Sequence, residues 1–260
     1  MAIVDNNGTD IFYEVVGSGP PLILHHGRLG SGDFWREYGY ASALEDERSL
    51  ILVDARGHGR SAKPHDPDSY HPRDVASDVV SVLDHLQIER ADFFGYSMGG
   101  RIGFMAAAHF QERFNSLILG GSGPYGPALS RDAELELARS LAGGMEAYLA
   151  GMERMLNRPI AEADRVRLMA NDPEALAALA LATADWPNVV DRVVATELPI
   201  QLFGGSVDPI WPLIDRAHRQ LPTSSLRCFD GLGHGEELRQ PKLVLPLVTE
   251  ALHRHGLDQR

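Results

Sequence analysis

The chain has 260 residues, 44% of them hydrophobic and 23% charged, near the average of a folded globular protein, which excludes a disordered, collagenous or coiled-coil chain. Its 24 Lys and Arg against 36 Asp and Glu leave a formal net charge of −12. With no basic grouping larger than Arg165-Val166-Arg167, such a chain repels nucleic-acid phosphates. The single cysteine, Cys228, excludes a disulfide framework and a zinc site built on thiolates. No run reaches the ~18 consecutive apolar residues of a membrane span. Residues 1–8 lack the basic and apolar regions of a signal peptide. The expectation is a cytoplasmic protein with neither a membrane nor a nucleic-acid partner.

Residues 2–5 and 11–16 read as an antiparallel hairpin joined through Asn7-Gly8. Short apolar runs follow at 22–26, 50–54, 92–95, 116–120, 200–204 and 224–229. Runs of this kind, without alternation, suit strands buried on both faces, with Cys228 a small core residue in the last. Helical patterns lie between them. Val75, Val79, Val82 and Leu86 share one face, and Pro72 suits the first turn of that helix. Residues 98–110 are a second helix, 215–221 a short stretch, and 241–253 the last. Strands alternating with helices predict an α/β fold around a mostly parallel sheet. Strand-like runs are missing from residues 123–196, where Ala, Leu, Glu, Arg and Met dominate. Short helices are predicted there at 132–141, 145–156, 161–170 and 173–183. The expected division is an α/β core of residues 1–122 and 197–260, with 123–196 inserted as a helical cap.

Residues 92–100 contain Gly95-x-Ser97-x-Gly99. The bare pattern is weak. Here a buried strand precedes it and an apolar helix follows, which is the setting of a nucleophile on a sharp turn. The glycines remove side chains that would clash, and the hydroxyl stands at a helix N-terminus, where negative charge is favoured. A serine hydroxyl needs a base, and histidine held by a carboxylate is the natural one. Asp208 closes a predicted strand and turn, and His234 lies on a glycine-flanked loop after the next strand. Asp230 competes as the carboxylate but sits on the strand that supplies His234. His218 falls on a helix. Two backbone amides must face a developing oxyanion. Met98, after the serine, and Arg28, after His25-His26-Gly27, are the candidates. The two histidines read as structural rings bonding loop carbonyls. Residues 54–61 lack the Gly-x-x-x-x-Gly-Lys pattern of a phosphate loop and read as a fixed loop behind the oxyanion wall.

Gly27 with its preceding histidines, residues 54–61, 95–100, Asp208 and Gly233-His234 together resemble the α/β-hydrolase fold family, over nearly all of the chain except 123–197. The resemblance implies an eight-stranded sheet with a helical cap inserted after the sixth strand. Ser97 stands where haloalkane dehalogenases and epoxide hydrolases carry an aspartate. Lys63 and Lys242, the two lysines, lie in a loop and the terminal helix, unlike the active-site lysine of plant-type hydroxynitrile lyases. Gly235 stands where meta-cleavage C–C hydrolases usually carry tryptophan. Arg101 matches the Gly-Tyr-Ser-x-Gly-Gly-Arg elbow of menaquinone-pathway synthases, and enol-lactonases of aromatic degradation share the length and cap.

The resulting expectation is a carboxylic ester or lactone hydrolase of the serine type, needing no cofactor or metal, whose partner is a small-molecule ester or lactone. Ser97 attacks, His234 moves the proton, Asp208 orients His234, and the Arg28 and Met98 amides hold the oxyanion. A C–C bond hydrolase, an enol-lactonase or a menaquinone-pathway-type lyase would use the same three residues. A slow-turnover ligand receptor would keep them too. Trp35, Tyr125, Trp186 and Trp211 are expected to line an apolar pocket. The Arg28 side chain is a candidate partner for a carboxylate on the substrate.

Overall fold

A computed structural model describes residues 1–256. The chain opens with β1 (Ala2–Asn6) and β2 (Thr9–Val16), then β3 (Pro21–His25), α1 (Asp33–Glu37), α2 (Tyr40–Leu44) and β4 (Ser49–Val53). Next come α3 (Pro72–His85), β5 (Ala91–Tyr96), α4 (Met98–Phe110) and β6 (Phe114–Gly120). Between β6 and β7 lie α5 (Arg131–Ala142), α6 (Met145–Leu156), α7 (Glu162–Met169), α8 (Pro173–Thr183) and α9 (Val190–Val194). The chain continues through β7 (Ile200–Gly205), α10 (Trp211–Gln220), β8 (Ser224–Phe229) and α11 (Pro241–Gly256).

The strands form one eight-stranded sheet in the order β1-β2-β4-β3-β5-β6-β7-β8. From β4 through β8 neighbours run parallel, and β1 and β2 add an antiparallel edge. The fold class is α/β, as the alternation of elements predicts. The hairpin turns at Asn7 (φ 53°) and Gly8 (φ 83°), the two left-handed residues that a tight two-residue turn requires.

Alternation along each strand divides the core. Ile51 and Val53 face the layer of α3 and α4, while Leu50 and Leu52 face α1, α2 and α11. Both faces are covered, so β3 through β7 are mostly apolar and almost wholly buried, with Asp92, Ser116 and Gln201 as buried polar residues among them. β8 differs. Among the described residues it has β7 as its one neighbour, its side chains are half-buried or exposed, and Cys228 lies exposed instead of in the core. An edge strand lacks the second flank that would enclose it.

The inserted helices are where the sequence predicts them, and they meet in a small cluster of Leu141, Met145, Leu149 and Leu176. α9 was not expected. Its Val190 and Val193 belong to the main core, and it packs on α4. A five-residue helix carries too little periodicity to be seen in sequence, and the same holds for α1 and α2. Among the described residues no helix is long and apolar enough to cross a membrane.

The loops that leave β3 and β4 are tied by one carboxylate. Asp54, 0% exposed, accepts the Gly32 N–H at 2.7 Å and the Arg60 N–H at 2.8 Å. Replacing Asp54 with alanine would strand the buried Gly32 N–H and release the Arg60 N–H that ties the two loops. Asp54→Ala is expected to lower the unfolding free energy by about 2–5 kcal/mol, read from urea denaturation.

Candidate active site

β5 delivers Ser97 at φ 54°, ψ −112°, a conformation that costs a non-glycine residue on the order of 1–3 kcal/mol. The elbow is possible because its neighbours are glycines. A Cβ on Gly95 would lie 2.5 Å from the Gly99 carbonyl oxygen, and one on Gly99 would lie 2.2 Å from that of His25. Ser97 therefore stands half-buried at the N-terminus of α4, with the loop after β3 pressed against it.

His234 and Asp208 reach the same point from the ends of β8 and β7. The Ser97 Oγ lies 2.9 Å from His234 Nε2, and His234 Nδ1 lies 2.7 Å from Asp208 Oδ2. The Asp208 carboxylate is buried and also accepts the Ile210 N–H at 2.8 Å. With Nδ1–H donating to Asp208, Nε2 is left to accept the serine proton. Asp230 is turned away, accepting from Ser206 Oγ at 3.0 Å, and His218 contacts Ser224 Oγ at 2.9 Å.

Gly27 packs on the elbow: a Cβ there would lie 3.5 Å from Ser97 Cβ. The Arg28 backbone follows directly, and Met98 opens α4. His26 Nδ1 meets its neighbour's carbonyl oxygen at 2.8 Å, and Nε2 accepts the Ala55 N–H at 3.0 Å. Burial pushes the His25 imidazole down to about 3, so that ring stays neutral and braces the loop. Among the described residues no group of three or more His, Cys, Asp or Glu is placed to hold a metal ion.

The model of the alpha/beta hydrolase fold matches residues 20–168. The chain belongs to the α/β-hydrolase fold family. It is 30% identical to 3-oxoadipate enol-lactonase 2 of Acinetobacter baylyi, over 90% of this chain and 89% of that one. It is 28% identical to a Bacillus subtilis protein provisionally named 2-succinyl-6-hydroxy-2,4-cyclohexadiene-1-carboxylate synthase, over 92% and 94% of the two chains. In three dimensions it resembles an esterase of Thermogutta terrifontis, with TM-score 0.83 at 24% identity over 98% of both chains.

A cavity opens beside Ser97 in this α/β-hydrolase. It offers about 90 Å³ to the centre of a water molecule and is lined by Ser97, Met98, Tyr125, Trp186, Ile210 and Leu213 among others. Tyr125 and Trp186 thus lie where the sequence expects pocket aromatics. Trp35 does not. It is 0% exposed and packs against Phe94 and Tyr40 on the opposite face of the sheet, because α1 turns that side of the helix inward. Trp211 covers Gly204 and the main core and is not part of the cavity wall.

Two further residues brace His234. The Tyr96 hydroxyl donates to Glu237 Oε1 at 2.9 Å and accepts the Gly235 N–H at 2.6 Å. Glu237 is 0% exposed, and its burial raises its pKa. Tyr96 precedes Ser97, and Gly235 follows His234, so one phenol ties the two segments together. Sequence reading missed this pair, since a glutamate three residues after a histidine on a loop gives no periodic signal. Tyr96→Phe is expected to lower kcat about tenfold or more with KM little changed, because the ring remains while the loop loses its anchor. Steady-state kinetics with a melting curve checks it.

Proposed function

We propose that this α/β-hydrolase is a serine hydrolase of small carboxylic esters or lactones. The observation that carries the reading is the relay from Ser97 Oγ to His234 Nε2 at 2.9 Å and from Nδ1 to Asp208 at 2.7 Å. Ser97 Oγ attacks the carbonyl carbon while its proton passes to Nε2. Asp208, buried and held by the Ile210 amide, stabilises the imidazolium. The amides of Arg28 and Met98 receive the oxyanion at the start of α4, where the helix dipole adds to them. The leaving oxygen takes the proton from His234, and an acyl group remains on Ser97. Water then gives a proton to Nε2 as it attacks, and collapse releases the acid and restores the serine.

The cavity sets the scale of the substrate. Its volume is about 90 Å³. That suits a short acyl chain or a small ring. The enol-lactonase relative at 30% identity favours a lactone as a second reading of the same chemistry, in which the leaving alkoxide stays tethered to the acyl group.

Initial rates on p-nitrophenyl acetate, butyrate and octanoate test the reading, with wild type and Ser97→Ala side by side. Serine-dependent turnover is expected, with the octanoate poorest and the variant slower by about three orders of magnitude or more. Near-normal rates in Ser97→Ala would overturn the mechanism. A folded wild type inert toward every ester would move the assignment to C–C cleavage, elimination or ligand reception.

A further inference from the structure

The lining of the cavity beside Ser97 is both apolar and charged. Its polar wall includes Arg28, Arg101, Glu134, Thr183 and Ser122. Arg28 and Glu134 are paired at 3.0 Å, and the Thr183 hydroxyl accepts from Arg28 Nη2 and donates to Glu134 Oε2, each at 3.0 Å. Arg101 is not paired in this way. Its Nη1 lies 3.9 Å from Glu134 Oε1, and its guanidinium sits 4.8 Å over the Trp186 ring. Only 5% of Arg101 is exposed. Burial pushes its pKa down to about 10, only partly offset by Glu134.

Among the described residues, seven buried side-chain polar atoms have no hydrogen-bond partner, and four of them belong to this wall: Arg28 Nε, Arg101 Nε, Arg101 Nη2 and Ser122 Oγ. Unsatisfied buried donors are rare in folded proteins and call for a partner. A guanidinium can only donate, so that partner must accept. The charges specify it further. Two arginines and one glutamate leave the wall with one uncompensated positive charge in a place where lone charges are costly. Arg101 also lies one turn into α4, where a cation opposes the helix dipole and an anion is welcome.

We infer that this wall is a recognition site for one carboxylate on the substrate, held by the free edge of Arg101 with Ser122 beside it. The inference rests on the hydrolase reading and narrows it to acid-bearing esters or lactones. Glu134 takes up the charge of Arg28, which leaves Arg101 for the ligand. A planar carboxylate can meet a guanidinium edge with two parallel hydrogen bonds. A neutral carbonyl could fill one donor and leave the charge, and a dianion would overshoot it. This places the Arg28 side chain one step behind the ligand: it is held by Glu134 and does not carry the carboxylate alone.

The test compares p-nitrophenyl hemiglutarate with the neutral methyl p-nitrophenyl glutarate at pH 7, where the free carboxyl is ionised. The wild type is expected to favour the acid in kcat/KM by about tenfold to a hundredfold, the scale of a charged hydrogen-bonded contact. Arg101→Met is expected to bring that ratio close to one. A wild-type ratio of one or less, or a ratio that Arg101→Met leaves unchanged, overturns the inference. Because Arg101→Met removes a buried residue, a second measurement leaves the arginines intact. Calorimetry on Ser97→Ala should find monomethyl glutarate bound about tenfold or more tighter than dimethyl glutarate. Equal binding, or none, also overturns the inference. The hydrolase reading fails by a different sign, when neither ester releases nitrophenol and a fluorophosphonate does not label Ser97. The calorimetric comparison stands apart from that outcome.

Discussion

Everything at the site depends on a backbone conformation that Ser97 would not adopt by itself. At φ 54° and ψ −112° the residue sits outside the regions open to ordinary side chains. The surroundings hold it there. β5 is buried along its whole length between β3 and β6, and α4 begins at the next residue with a mostly buried face. Neither can shift without opening the core. The cost of the elbow is of order 1–3 kcal/mol, small against the apolar surface those two elements bury. Strain at the turn is thus a local consequence of a sheet and helix that are fixed for other reasons, and the hydroxyl is presented without needing contacts of its own.

The same close approach organises the neighbours. Gly99 leaves only room for the carbonyls of His25 and His26, and Gly121, at φ 59°, lets a Tyr96 ring and the His234 imidazole come together beside it. Three strand ends are drawn to one point. The rings of His25, His26 and His58 lie stacked or tilted behind that point. Burial lowers the pKa of all three. They are neutral hydrogen-bonding braces and add no positive charge behind the elbow.

What could be read from the sequence follows from this local character. The elbow, the strand before it, the helix after it, and an acid and a histidine at later strand ends are each written in a few consecutive residues. β8 and α4 have the boundaries that their residues suggest. What could not be read depends on contacts across the chain. Glu134 and Thr183 are 49 residues apart, and nothing local in α5 or α8 shows that these two side chains meet. Glu237 meets Tyr96 across 141 residues. Trp35 is equally apolar whether it faces a pocket or the far side of the sheet, and only the orientation of α1 decides. Cys228 looks like a core residue until the strand order makes β8 an edge.

The helices between β6 and β7 contribute charged and polar side chains to the cavity lining. Glu134 comes from α5 and Thr183 from α8, while Arg28 follows β3 and Arg101 lies on α4. The ionic wall therefore joins the helices between β6 and β7 to α4 and to the loop after β3. α8 also docks through Ala178 and Leu179 into the main core, so the helix that positions Thr183 is fixed by packing. Glu134, 6% exposed, has no such freedom. It is held by Arg28 and Thr183, and it also faces the buried Arg101 guanidinium at 3.9 Å. Removing one member of a buried ion pair is generally worse than replacing the whole group. The pocket's charge is consequently tied to the placement of α5 on the core, and a chain that changed the one would have to rebuild the other.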